Sequence, residues 1–298
     1  MTMADTASPR GSRSTLLANM TDFARRQPVG AVGFVVIVLL ALVAIFAEIV
    51  SPYSPFKNDY GAMMVGPDAA HWLGTDNYGR DILSRIIYGT RTALVVGFAS
   101  SFIGCTIGAL VGTLSAYFGG KTDLIIQRFV DILLTIPVIV TAIVTAAVLG
   151  RNRLGPVDLN LIAAIAIAVF PSVTRVVRAA ALAIRDLPYV DAARVSGFSN
   201  ARIILRHMLP NVMAPYLIML TGYIGQAILL SAALTYIGLG VSEPQPDWGL
   251  MLSGEAANFY REAPWMILFP GLAVTIAVFA FNLFGDSLRD WLDPKFAE

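Results

Sequence analysis

Residues 185–211 read RDLPYVDAARVSGFSNARIILRHMLPN, a polar run set between two long apolar stretches. Asp186 is a candidate helix cap, and Pro188 suits a first helical turn. Residues 189–196 then form a short helix, with Asp191 near its positive end. Gly197 breaks that helix, Ser199 or Asn200 caps a second one, and Pro210 marks where the second must bend or stop. A sharp turn at Gly197 calls for a positive φ, which glycine adopts without penalty. Ala192 and Ala193 leave a low surface against which another protein can pack. Arg202 and Arg206 lie four residues apart, with Ile204, Leu205 and Met208 on a separate flank. Taken alone, the second helix is equally consistent with an amphipathic segment resting on anionic headgroups.

Outward from this loop the chain is lipid-like. Of its 298 residues 14% are charged and 56% hydrophobic, with mean hydropathy +0.69, whereas an average soluble domain carries about a quarter charged residues. A bilayer core needs about 20 apolar residues in a helix, and six stretches qualify: 29–50, 92–118, 124–149, 159–184, 212–239 and 264–285. The expected fold is therefore all-α, a polytopic membrane protein with six transmembrane helices. Pro137 and Pro171 are natural kink points in the third and fourth stretches. The first 28 residues carry Arg10, Arg13, Arg25 and Arg26 ahead of an apolar stretch too long for a signal-peptide core, so they read as a cytoplasmic tail. With that tail inside, fourteen Lys and Arg fall on cytoplasmic connections and seven on outer ones, a bias that places both termini in the cytoplasm. Arg80, Arg85 and Arg91 fall on the outer side, with Arg85 and Arg91 expected at the headgroups. The expected organisation is a tail over 1–28, a first helix and long outer loop over 29–91, a five-helix core over 92–286 containing the loop 185–211, and a cytoplasmic tail over 287–298.

Several features suggest other chemistry and fail on inspection. SAYFGGKT, residues 115–122, lacks the first glycine of a P-loop and ends a spanning helix where that motif must follow a buried strand. It reads better as a Gly119-Gly120 turn. The two histidines, His71 and His207, lie on opposite expected sides, so no histidine-built metal site is expected. No G-x-S-x-G elbow occurs, and Cys105, the only cysteine, cannot form an intrachain disulfide. Asp131 lies within a membrane stretch, where ionisable residues invite a proton-relay reading. Arg128, three residues earlier on the same face, makes a structural pair the simpler expectation. Gly97, Ser101, Gly104, Gly108 and Gly112 share nearly one helical face, which lets two helix backbones approach closely. A net charge of +1 gives no support to nucleic-acid binding.

The run Asp191-Ala192-Ala193, Gly197 and Leu209-Pro210 resembles the E-A-A-x3-G-x9-I-x-L-P loop of permease subunits of ATP-binding-cassette importers. Asp191 replaces the glutamate, shortening its reach by one methylene, and His207 replaces the apolar position. The ending Arg206 to Asn211 resembles the peptide and nickel branch. So do HWLGTDNYGRDILSRIIYGTR (71–91), YFGGKTDLIIQRFVDILLTIP (117–137), GLGVSEPQPDWGLML (238–252) and APWMILFPGLAVTIAVFAFNLFGDSLRDWLDP (263–294). The GTDxxGRD segment and the LDP tail are closest to the C-type permease of dipeptide and oligopeptide systems.

That resemblance implies a type I importer permease fold in a bacterial inner membrane. A second homologous permease would complete the pore, two cytoplasmic ATPase subunits would bind the ATP, and an extracytoplasmic binding protein would deliver a peptide or related small solute. It further implies that Asp191, Ala192, Ala193, Gly197, Leu209 and Pro210 dock on an ATPase or transmit its motion, that none is catalytic, and that the chain holds no cofactor of its own. The alternative is a self-contained secondary transporter or channel, which calls for ion-coupling groups at broken helices in repeated halves. No such repeat or central carboxylate cluster is present in the sequence.

Overall fold

In the computed structural model residues 21–155 and 157–292 are described; Arg10, Arg13 and everything after Leu292 lie outside them. The helices are α1 (Pro28–Ile45), α2 (Ile82–Phe118), α3 (Gly120–Leu134), α4 (Val138–Leu149), α5 (Leu159–Arg185), α6 (Pro188–Val195), α7 (Met213–Tyr236), α8 (Trp248–Leu252) and α9 (Trp265–Leu292). Short helical turns lie between them, and a two-residue antiparallel hairpin pairs Arg153–Leu154 with Val157–Asp158. The expected all-α architecture stands.

Local chemistry sets the helix ends. Asp81 caps α2, its carboxylate accepting from Ser84 N, and Gly119 at φ +61° ends it. Asp158 caps α5 by accepting from the N–H groups of Asn160 and Leu161. Residue 82 is ten positions before the expected start of the second span. The 37-residue α2 is about 55 Å long and overshoots a bilayer core of about 30 Å. The last helix likewise continues to Leu292, through residues expected to be tail.

Among the described residues five helices, with α7 extended back to Asn200, are long and apolar enough to cross a membrane. The remaining expected span is two helices: α3 and α4 pass the same length and composition test together but meet at 91°. Pro137 lacks an N–H and disfavours helical backbone at Ile136, so the chain leaves the helix there and restarts at Val138. Pro171, by contrast, stays inside α5 without interrupting it.

The core forms around α5, whose Leu161, Ile165, Val169, Val173 and Val177 are buried. Its main neighbour is α2, and glycine explains the closeness. A Cβ built on Gly104, Gly108 or Gly112 would sit 2.8, 2.8 and 2.6 Å from the carbonyl oxygens of Ala166, Phe170 and Thr174. The register advances four residues on both helices at each step, so α2 and α5 run parallel, backbone against backbone. The small-residue face expected from the sequence thus packs inside this subunit.

A second cluster, with Ala93, Ile228, Trp248 and Phe281, joins α2, α7, α8 and α9. Helix α1 packs outside, its Gly33 against the Ala280 carbonyl, while Val32, Val35, Leu39 and Leu42 stay exposed, as suits a lipid-facing helix. Phe23 meets Trp291 edge to face at 5.9 Å, and Gly285 of α9 lies beside Thr221 of α7. Residues 21–26, the end of α9 and the 185–212 loop therefore share one end of the bundle. Residues 51–81 and 238–264 share the other.

Candidate functional site

Helix α6 is eight residues long, shorter than the ~12–15 residues at which an isolated helix becomes even marginal in water. It therefore depends on packing. Val190 and Ala193 turn inward and meet Ile203 and Tyr117 in a small cluster. The Tyr117 hydroxyl donates to Asn200 Oδ1 at 2.7 Å. Ala193, expected to offer a low outer surface, is buried, and Ala192 alone of that pair is exposed. The 3.6-residue period puts Val190 and Ala193 on one face and sends Ala192 to the other.

The caps differ in part from expectation. Pro188 does open α6, but its N-cap is Leu187 without a side-chain bond, and Asp186 instead accepts from Arg185 Nε at 3.0 Å. Asp191 accepts from Arg194 at 2.7 Å on the same helix, and both side chains are solvated. At its far end Gly197 takes φ +77°. The Phe198 N–H donates back to the Ala193 carbonyl at 3.1 Å, the bonding of a glycine-closed helix end. A Cβ on Gly197 would meet nothing within 4 Å.

Ser199 caps the next turn, accepting from Arg202 N. That turn does not remain a separate helix. Residues Asn200–Ile203 pass into a π-turn over Ile204–Met208 and a 3₁₀ turn over Leu209–Val212, then directly into α7. The Leu209 N–H reaches back to the Ile204 carbonyl, a widened turn that lets Pro210 be passed without a break. Leu209 is half-buried against the main core, and Pro210 is exposed.

Beside the loop, Asp123 accepts from Arg178 Nε at 2.6 Å and from the Ser115 hydroxyl at 2.5 Å. Asp131 pairs with Arg175 of α5. Its expected partner, Arg128, does not hold it, because the crossing of α3 over α5 brings a better-placed guanidinium. Lys121 is exposed, following Gly119 and Gly120 at φ +61° and +53°, so the GGK run is a turn.

A charged cluster at the opposite end was not singled out from the sequence. Arg80 donates to Asp76 Oδ2 at 2.6 Å and to Glu243 at 2.6 and 3.2 Å. Arg85, expected at the headgroups, is buried, donating to the Pro55 carbonyl and to Glu243. Arg91 reaches the Ala44 carbonyl and Glu48. Asp81 holds His71 Nδ1 at 3.0 Å. Burial pushes the Asp247 carboxyl up to about 6, against the pull of the Leu250 and Gly249 N–H groups. A cavity of about 220 Å³ lies among Asp76, Arg80, Arg85, Glu243 and Met251. The one advance signal was that 71–91 and 238–252 carry opposite charges among aromatic residues; nothing local says that they meet. Among the described residues no group of three His, Cys, Asp or Glu is placed to hold a metal ion.

Residues 104–298 match the family described as binding-protein-dependent transport system inner membrane component. Residues 23–67 match the N-terminal transmembrane domain of oligopeptide transport permease C. The chain is 40% identical over 271 residues to the dipeptide transport system permease protein DppC of Alkalihalophilus pseudofirmus, covering 91% of this chain and 87% of that one. It is 39% identical to the glutathione transport system permease protein GsiD of Pectobacterium atrosepticum, with coverage of 91% and 88%. It is 37% identical to the probable D,D-dipeptide transport system permease protein DdpC of Escherichia coli, with coverage of 99% and 98%. Among solved structures, the inward facing MetNI methionine ABC transporter superposes with a TM-score of 0.54 at 19% identity, over 71% of this chain and 98% of that one, a likeness of fold.

Proposed function

This chain belongs to the family of binding-protein-dependent transport system inner membrane components, the permease subunits of ATP-binding-cassette importers, and on that premise we propose that its 185–212 loop is where a cytoplasmic ATPase drives it. The observation that carries this reading is the construction of α6. Its outer face, with Asp191 and Ala192, is exposed, while Ala193 anchors its inner face. A docked protein meets a short rigid helix whose displacement passes through Gly197 and the turns at Leu209-Pro210 into α7.

In this reading Asp191 and Ala192 form the contact. Ala193, Gly197, Leu209 and Pro210 hold or transmit. The loop end faces the cytoplasm, as the Lys and Arg bias favours, with both termini on that side. A second homologous permease completes the pore, two ATPase subunits sit below it, and a binding protein delivers the substrate outside. The similarity to dipeptide, D,D-dipeptide and glutathione permeases supports a short peptide as that substrate. The residues catalyse nothing; they convert ATPase motion into alternating access.

Affinity purification of the tagged chain from its native membrane tests the reading. Wild type should bring an ATPase subunit with it. Asp191→Lys places a cation at the positive end of α6 and should reduce ATPase recovery about tenfold, as should Gly197→Val, whose β-branch resists φ +77°. Thr275→Ala, exposed on α9 and bonded only to its own helix, should change nothing. Full ATPase recovery with both loop variants would show the loop to be a membrane-surface connection.

A further inference from the structure

His207 lies in the π-turn that leads into α7, at a position where the loop pattern of importer permeases has an aliphatic residue. Its ring faces two aromatic rings from opposite ends of the docking helix. Phe198, just after α6, stacks on it with centroids 6.0 Å apart and planes at 20°. Tyr189, in the first turn of α6, faces it at 6.3 Å and 45°. The backbone joins in: the Tyr189 hydroxyl donates to the His207 carbonyl at 3.4 Å, and Asn211 Nδ2 donates to the same oxygen at 2.6 Å. Arg202 covers Phe198, its guanidinium carbon 4.6 Å from the ring centroid.

Among the described residues the ring's Nε2 is buried without a hydrogen-bond partner, so stacking is what holds that edge. The π-turn matters here. A widened turn adds a residue without ending the helix, and it sets His207 where one ring spans both ends of α6. Gly197 alone is a loose link, since nothing lies within 4 Å of its Cβ position.

We propose that His207 is the positioning residue that locks α6 to the start of α7, so that displacement of the docked helix moves the pore helix and is not absorbed at Gly197. The proposal rests on the reading of the loop as an ATPase-docking surface. It assigns to His207 a mechanical task and no contact with substrate or nucleotide. An aromatic ring of similar size should perform it, because no hydrogen bond from Nε2 is used.

The complex that co-purifies with the tagged chain, placed in lipid nanodiscs, provides the test by amide hydrogen exchange with and without ATP and vanadate. In wild type the nucleotide should change exchange both in 188–198 and in 209–220. In His207→Ala the ATPase should still co-purify and 188–198 should still respond, while the response at 209–220 falls about tenfold, within the range usual for coupling between two sites. In His207→Phe the response at 209–220 should return. A wild-type response at 209–220 in His207→Ala, no response there in wild type, or failure of His207→Phe to restore it would each overturn the proposal. Loss of the ATPase from His207→Ala would also overturn it, since the ring would then shape the docking surface. Retention of the ATPase by both Asp191→Lys and Gly197→Val would instead sink the docking reading itself, so the two failures are distinguishable.

Discussion

Gly79 and Gly197 have nearly the same backbone, φ +71° and +77°, and opposite surroundings. A Cβ on Gly79 would lie 1.7 Å from the Asp59 carbonyl oxygen, whereas one on Gly197 meets nothing within 4 Å. The contrast extends to their neighbours. Around Gly79, Asp76, Arg80 and Arg85 are buried, and the two arginines reach Glu243 some 160 positions along the chain. Around Gly197, Asp191 and Arg194 pair in solvent within one turn. Glycine, aspartate and arginine thus build a buried latch at one end of the bundle and a solvated, glycine-ended helix at the other. The deciding quantity is how many groups each is forced to satisfy. A buried charge network admits one arrangement, while a solvated helix on a small apolar foot belongs to the low-stability part of a fold, from which moving elements are drawn.

The largest test of that contrast removes the centre of the latch. Arg80→Ala leaves the mostly buried Asp76 carboxylate without its main partner and should lower stability by about 3 kcal/mol. The foil, Arg194→Ala, breaks a solvated pair and should change it by less than about 1 kcal/mol. Thermal unfolding of the purified protein in detergent measures both, and equal losses would erase the distinction.

A smaller effect comes from the glycines. Gly197→Ala bears only the left-handed backbone penalty, about 1 kcal/mol, because the space around it is open. Gly79→Ala bears that penalty and a collision with the Asp59 backbone, and should lose more than about 2 kcal/mol. If the two unfold alike, the residue 51–81 segment yields more easily than its packing indicates.

The smallest concerns Asp247. Its ordinary pKa of 3.8 is pushed up to about 6, so between those values the folded state keeps a proton that the unfolded chain has released. Stability from this group therefore falls as pH rises from about 4 to about 6 and is level above that window. Asp247→Asn, which keeps an acceptor for Leu250 N, should remove that slope from a plot of unfolding midpoint against pH. An unchanged slope would assign it to another group.

Much of the molecule was legible in its sequence. The six apolar stretches, the Pro188 start of α6, the Ser199 cap and the left-handed turn at Gly197 are local facts, set by hydrophobic length, capping chemistry and the conformational range of glycine. The α2 glycine face was legible too as a site of close backbone approach, since a four-residue repeat of small side chains allows it, and the structure shows that the partner is α5 of the same chain. What stayed hidden were partners. Asp131 chose Arg175 over the sequence neighbour Arg128, and Ala193 turned inward because Ile203 and Tyr117 offered it a surface.

By itself, then, the sequence determined which segments are apolar and long enough to span a bilayer, where α6 starts and where Gly197 turns the chain, because those depend on residues within a turn or two of one another. Only the tertiary structure decided the 91° break between α3 and α4, the joining of Arg80 to Glu243, the burial of Arg85 and the seat of His207 between Tyr189 and Phe198. Each depends on which surfaces meet once the helices pack, and a side chain's partner across such a meeting is fixed by the position of a backbone far away in the chain.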